Sequence, residues 1–229
     1  RNLIEPSFII QFASVSLLME KSLHAVSVLF FSGCGIVMFS PFSLFPYHPF
    51  LMVLGYGVLM GEAILFSRYI KSRQRKWWLQ FHLIAQLLGF LLVTIAFSVI
   101  VYSKIERGKL HFQSWHAFLG VLAYVYTSMQ VAFGLFIYYF RKKLIKWKGV
   151  PFAVQASRLH GYSGIVSHGF SMTALALGYC SNFARSLFGY QVSSLLIFFT
   201  IVITIGVLLF KPEISKTSKT TSVPNITES

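Results

Sequence analysis

Apolar residues in this chain gather into six runs, at roughly 22–40, 48–66, 79–102, 116–140, 157–179 and 189–210. Each is close to the 20 or so residues that carry a helix across the hydrocarbon core of a bilayer. The bilayer admits only segments that satisfy their own backbone hydrogen bonds, which for isolated runs of this length means helices. The pattern therefore predicts an all-α fold, a six-transmembrane-helix bundle spanning residues 22–210. Residues 1–21 form an N-terminal segment before it and residues 211–229 a polar, Ser/Thr/Lys-rich tail expected to be disordered. Neither an interdomain linker nor a second soluble module is visible.

Composition agrees. Of the 229 residues, 55% are apolar and 11% charged, whereas soluble domains carry about 25% charged residues. The length would suit one or two soluble domains, but the apolar runs are too long and too many for that. The first 21 residues contain Glu5, Pro6, Gln11 and Glu20 and lack the compact basic, apolar and small-residue order of a cleavable signal.

A net charge of +14 could suggest a nucleic-acid partner, but its distribution argues against one. With six spans, both termini and the 67–78 and 141–156 loops fall on one face, and the 41–47, 103–115 and 180–188 loops on the other. The first face collects 16 of the 20 Lys and Arg residues, in runs such as Arg68–Lys76 and Arg141–Lys148. The positive-inside rule makes that face, and both termini, cytoplasmic. The sequon Asn225-Ile226-Thr227 would then never meet the glycosylation machinery.

Four histidines each open a different apolar run: His48, His82, His116 and His160, at intervals of 34, 34 and 44 residues. An intramembrane imidazole is costly and marks a functional site by default. Because successive helices alternate in direction, His48 and His116 start at the non-cytoplasmic face, and His82 and His160 at the cytoplasmic one. Two imidazoles at one depth can supply both axial positions of a haem iron. A bare metal would usually need further Cys, Asp or Glu ligands, and none sits at these depths. A haem also needs room, and each helix offers a glycine on its histidine face: Gly55, Gly89, Gly120 and Gly164.

Other residues are less decisive. His24 reads as an interfacial residue and His168 as a packed core or supporting histidine. Glu62, the only acid inside a span, lies about 21 Å along its helix from His48. It reaches the depth of the other pair, either to bond a ligand imidazole or to snorkel toward an arginine. Cys34 and Cys180 read as two buried thiols, with a disulfide as the alternative. His111, in the loop before His116 with Arg107 and Lys109 nearby, could bind an anion or a chelated metal ion.

Several runs together resemble the cytochrome b561 family, in particular its short members that consist of that domain alone. They are Ser43-Leu44-Phe45-Pro46-Tyr47-His48-Pro49, Met60-Gly61-Glu62-Ala63-Ile64-Leu65, His82 with Gln86, His111-Phe112-Gln113-Ser114-Trp115-His116, and Leu159-His160-Gly161-Tyr162-Ser163-Gly164. The resemblance covers residues 20–210. It implies a four-helix di-haem core on helices 2–5, with two haem b groups held by His48 with His116 and by His82 with His160. It implies transmembrane electron transfer from cytosolic ascorbate to ferric iron or monodehydroascorbate, commonly by a homodimer in the lipid bilayer. Arg73, Lys76 and Arg158 are the donor-side candidates for ascorbate, and His111 the acceptor-side one. Ala153 stands where an arginine is expected, and Trp77 and Trp78 occupy the approach to His82. An intracellular membrane, endoplasmic reticulum or vesicle, is the expected location. A quinol-oxidising cytochrome b would carry two histidines on each of two helices. A non-enzymatic, His-based divalent metal transporter would place its ligands near mid-membrane with carboxylates.

Overall fold

The computed structural model describes residues 6–40, 42–68 and 75–209, without the side chains of residues 6–17, Glu20 and Arg75. Among the described residues the chain is helical, with no strand. Six helices cross: α1 (Pro6–Met38), α2 (Tyr47–Ser67), α3 (Arg75–Glu106), α4 (115–148), α5 (150–178) and α6 (Asn182–Leu209). Among the described residues five helical runs are long and apolar enough for a bilayer, with 115–178 counting as one of them. Large side chains such as Leu88, Leu91, Ile95, Phe198 and Val202 point outward and stay exposed, which water would penalise and lipid does not. Arg73, the C-terminal tail and Asn225 lie outside the described residues.

The helices begin and end where local chemistry directs. Pro46 and Pro49 flank the start of α2, where a missing N–H is harmless. Ser114 caps α4, its Oγ accepting from Ala117 N at 3.2 Å, and Ser181 does the same for Ala184 N at 3.2 Å on α6. Arg68, just past α2, donates to the carbonyls of Val207 (2.6 Å) and Leu208 (2.9 Å). A cation there satisfies two acceptors that the end of α6 leaves over.

Several boundaries differ from the hydropathy reading. The predicted loop at 141–156 is helical, because Arg141–Lys148 is built of good helix formers and the break waits for Gly149. That glycine adopts φ 84°, a conformation that side chains resist, and Pro151 restarts the chain as α5. In the same way Gly189 (φ 75°) splits α6 into a short segment, 182–188, and the span proper. α1 begins at Pro6, well before the apolar stretch that starts at Lys21.

The core lies where α1, α2, α3, α5 and α6 meet, around Phe31, Val53, Tyr56, Val93, Tyr179 and Val207. α2 is its centre, and its middle, Val53–Met60, is wound as a π-helix. Such segments are rare and expose backbone that neighbours must satisfy. Two glycines let α2 fit between its neighbours. A Cβ on Gly55 would sit 2.9 Å from the Gly89 carbonyl of α3, and one on Gly57 would sit 2.6 Å from the Phe31 ring of α1.

This corrects the glycine reading. Gly55 and Gly89 are each other's contact, not haem clearance, and Gly164 faces the Gln130 side chain. Only Gly120 of the four looks into open space and lines a cavity. The expected pair of buried thiols is also corrected: both cysteines are free, but Cys34 is buried and Cys180 exposed. Cys180 follows the last turn of α5 rather than sitting inside it.

Gly55→Ala should destabilise the bundle by about 1–3 kcal/mol through overpacking. Gly169→Ala, where an added Cβ meets nothing within 4 Å, should instead gain about 0.5–1 kcal/mol from helix propensity. Thermal midpoints in detergent read both; equal midpoints would refute the wedge.

Candidate functional site

The structure brings the four histidines together in two pairs, one toward each end of the bundle. His48 at the start of α2 faces His116 in the first turn of α4, ring centroids 6.3 Å apart and ring planes at 76°. His82 of α3 faces His160 of α5 at 6.4 Å and 86°. An imidazole nitrogen lies about 1.1 Å from its ring centroid and metal–imidazole bonds run about 2.0 Å. Two imidazoles on opposite sides of one metal should then have centroids about 6.2 Å apart. Both pairs meet that spacing.

Three of the four rings are also pointed. His48 Nδ1–H donates to the Ala96 carbonyl of α3 at 3.0 Å. His82 Nδ1–H donates to the Ala63 carbonyl of α2 at 2.9 Å, and His116 Nδ1–H to the Ala174 carbonyl of α5 at 2.8 Å. A carbonyl can only accept, so Nδ1 carries the hydrogen and Nε2 keeps its lone pair for a metal. Each acceptor is a buried alanine, small enough for an imidazole on the next helix to reach the backbone. His160 is held differently. Its Nδ1 is buried without a partner, its carbonyl accepts from Gln130 Nε2 at 3.0 Å, and its ring presses on Gly134, where a Cβ would sit 2.8 Å from Cε1. Gly134 and Gly178, which approaches His116, are the glycines that give these imidazoles their space, and neither stood at the offsets that sequence periodicity favoured.

A cavity of about 280 Å³ opens beside the His48–His116 pair. Phe97, Gly120, Tyr56 and Tyr179 form its walls, and Lys104 and His111 also line it. Its surface is mostly apolar, as a flat macrocycle requires. Among the described residues no cluster of three or more His, Cys, Asp or Glu could enclose a bare metal ion. A haem, whose macrocycle supplies four of the six ligands itself, suits two lone imidazoles.

The predicted substrate residues fare unequally. His111 is half-buried at the cavity, in a loop where Phe112 takes φ 58°. Lys104, read from sequence only as a topology charge, lines the same cavity and donates from Nζ to the Leu110 carbonyl at 3.2 Å, tying that loop to α3. At the end of the bundle that holds His82 and His160, Lys76 and Arg158 are exposed, and Arg73 lies outside the described residues. Arg141, another residue read as topology alone, is half-buried and donates from Nη1 to Ser157 Oγ at 3.1 Å, one turn before His160.

Glu62 takes neither of its expected partners. Its Oε2 is hydrogen-bonded to Nδ1 of His24 on α1, so His24 is a partly buried contact of α2. His168 is buried beside Gly61, between the two histidine layers and in neither pair. Between those layers α4 and α5 are joined by polar contacts, Thr127 Oγ1 with Ser167 Oγ at 3.1 Å and Ser163 Oγ donating to Gln130 Oε1 at 3.1 Å.

Comparison with known proteins places this arrangement. The profile of the eukaryotic cytochrome b561 family matches residues 47–186, a segment that contains all four paired histidines. Transmembrane reductase CYB561D2 from Bos taurus is 34% identical over 143 residues, 61% of this chain and 62% of the relative. Its Homo sapiens counterpart is 33% identical over 143 residues, again 61% and 62%. Probable transmembrane reductase CYB561D1 from Mus musculus is 33% identical over 97 residues, 41% of this chain and 42% of that one. The matched segment spans less than two thirds of these relatives' length. The match over 47–186 covers more than half of the chain, and the chain belongs to the eukaryotic cytochrome b561 family, a haem-binding family of membrane proteins.

Proposed function

We propose that this protein carries electrons across a membrane through two haem b groups, one between His82 and His160 and one between His48 and His116. The observation that supports this best is the pair of centroid spacings, 6.3 and 6.4 Å, each suited to one six-coordinate iron. When bound, a haem supplies a one-electron couple that no side chain here offers at biological potentials. The protein holds three of the four imidazoles at a fixed tautomer through their Nδ1–H bonds to backbone carbonyls. Along α5, His160 and Ala174, whose carbonyl orients His116, are separated by about 21 Å. The two sites thus lie toward opposite faces of the bilayer.

The loop charges give the relay its direction. Cations crowd the cytoplasmic face, where they concentrate an anionic reductant such as ascorbate. Arg73, Lys76 and Arg158 are the donor-side candidates, and half-buried Arg141 above His160 joins them. On the other face His111 and Lys104 line the mouth of the second site. An imidazole and an ammonium there suit an anionic acceptor, a ferric chelate or monodehydroascorbate. The reading makes the chain a transmembrane ascorbate-dependent oxidoreductase, working as a homodimer in an intracellular membrane with its termini in the cytosol. The metal-transport alternative has no support from side chains: the depth between the layers holds His168, hydroxyls and an amide, and no carboxylate contacts them among the described residues.

His116→Ala and His82→Ala should each halve the haem content by the pyridine haemochrome assay. Each should also reduce transfer from internal ascorbate to an external ferric chelate, in proteoliposomes, to the lipid background. Retention of both haems in either variant would refute the ligand assignment. His111→Ala should raise KM for the ferric chelate about tenfold, equivalent to about 1.4 kcal/mol, and leave haem content unchanged. An unaltered KM would remove His111 from the acceptor site.

A further inference from the structure

Glu62 is a carboxylate inside a transmembrane helix, 8% exposed, and the function proposed above gives it no task. An acid at such a depth is expensive to keep. Its two oxygens are treated differently. Oε2 is hydrogen-bonded to His24 Nδ1, while Oε1 is buried and has no hydrogen-bond partner. Oε1 thus keeps a lone pair that can take a proton without breaking the bond to His24.

Its place in the chain points to the cytoplasmic histidine pair. Gly61, Glu62 and Ala63 form one turn at the end of the π-wound segment of α2. Gly61 backs onto His168, and the Ala63 carbonyl accepts the Nδ1–H that orients His82. The acid–base pair and the imidazole that would hold the cytoplasmic haem are therefore braced by adjacent residues of one turn. Other titratable groups around this turn are His82 on α3 and His168 on α5. On α1, Glu20 and exposed Lys21 lie in the turn before His24. On α2, Arg68 is engaged by the carbonyls of α6. α6 itself carries no titratable side chain from Gln191 to Leu209.

We propose that the His24–Glu62 pair is the proton site of the cytoplasmic half of the relay, with Glu62 Oε1 taking up one proton for each electron that arrives at the haem of His82 and His160. Ascorbate, a monoanion at neutral pH, gives up one electron and one proton when it is oxidised to monodehydroascorbate. A haem held there would supply the one-electron couple, and the proton would settle on Oε1, so that the buried region would gain no net charge. Uncompensated negative charge in a low dielectric is costly, and the proton offsets it. When the electron leaves for the second haem, the proton returns to the cytosolic side. No proton crosses the membrane, and charge and atoms balance at every stage. The inference rests on the di-haem reading.

The test is a spectroelectrochemical titration of the full chain, haem-loaded, in phosphatidylcholine nanodiscs at several pH values, with the two haems resolved by comparison with His116→Ala. In the wild type, at fixed applied potential, the ferrous-to-ferric ratio of the cytoplasmic haem should fall about tenfold per unit rise in pH, as one linked proton demands. In Glu62→Gln it should change less than about twofold per unit, while the other haem behaves as in wild type. Both haems present in Glu62→Gln with the wild-type pH slope would overturn the proposal. If Glu62→Gln does not fold, the wild type alone decides. Its reduced-minus-oxidised infrared spectrum should gain a protonated carboxyl band that shifts in D2O, and the absence of that band would overturn it equally. A wild type that binds no haem would refute the di-haem reading instead.

Discussion

The hydrogen bond from an imidazole Nδ1 on one helix to a backbone carbonyl on the next is the interaction on which the rest of this structure depends. It occurs three times, to Ala96, Ala63 and Ala174. Each bond sets a tautomer, aims a lone pair and fixes the relative rotation of two helices. It also requires alanine at the accepting position, because a larger side chain would hold the ring away from the backbone. The same contact that satisfies a polar group in lipid therefore leaves its Nε2 lone pair available. α2 takes part on both sides, donating through His48 near one face and accepting through Ala63 near the other.

That double role accounts for the π-wound middle of α2. A helix pinned at two depths, and squeezed by Phe31 on one side and by Gly89 and Val93 on the other, must bring both of its ends to the right azimuth. The π-wound stretch Val53–Met60 changes the rotation accumulated between them. Glycines at 55 and 57 let the neighbours close in around the widened backbone. The turn after it then carries the buried acid–base pair, so packing, ligand orientation and buried charge all converge on Gly61–Ala63.

Much of this was legible in the sequence. Hydropathy alone gives six spans, and alternating direction sorts His48 with His116 and His82 with His160. These features are local or follow from counting. What sequence could not show depends on which helices touch. The partner of Glu62 lies 38 residues away on α1, and no periodicity links the two. Gly55 and Gly89 satisfied a plausible spacing rule yet serve helix contact, while Gly134 and Gly178 do the work assigned to them from the opposite helix. Lys104 and Arg141 looked like topology charges because their significance comes from a cavity wall and from Ser157. The basic run after residue 140 looked like a loop only because hydropathy does not see helix propensity.

The central claim is that each pair of rings clamps one iron at the angles found here, 76° and 86°. Electron paramagnetic resonance of the oxidised, haem-loaded protein tests it most directly, because the angle between axial imidazole planes sets the anisotropy of a low-spin ferric haem. Near-perpendicular rings predict two strongly anisotropic low-spin signals of equal intensity, one lost in each single-site histidine variant. A high-spin spectrum, or the rhombic signal of near-parallel rings at both sites, would contradict the account.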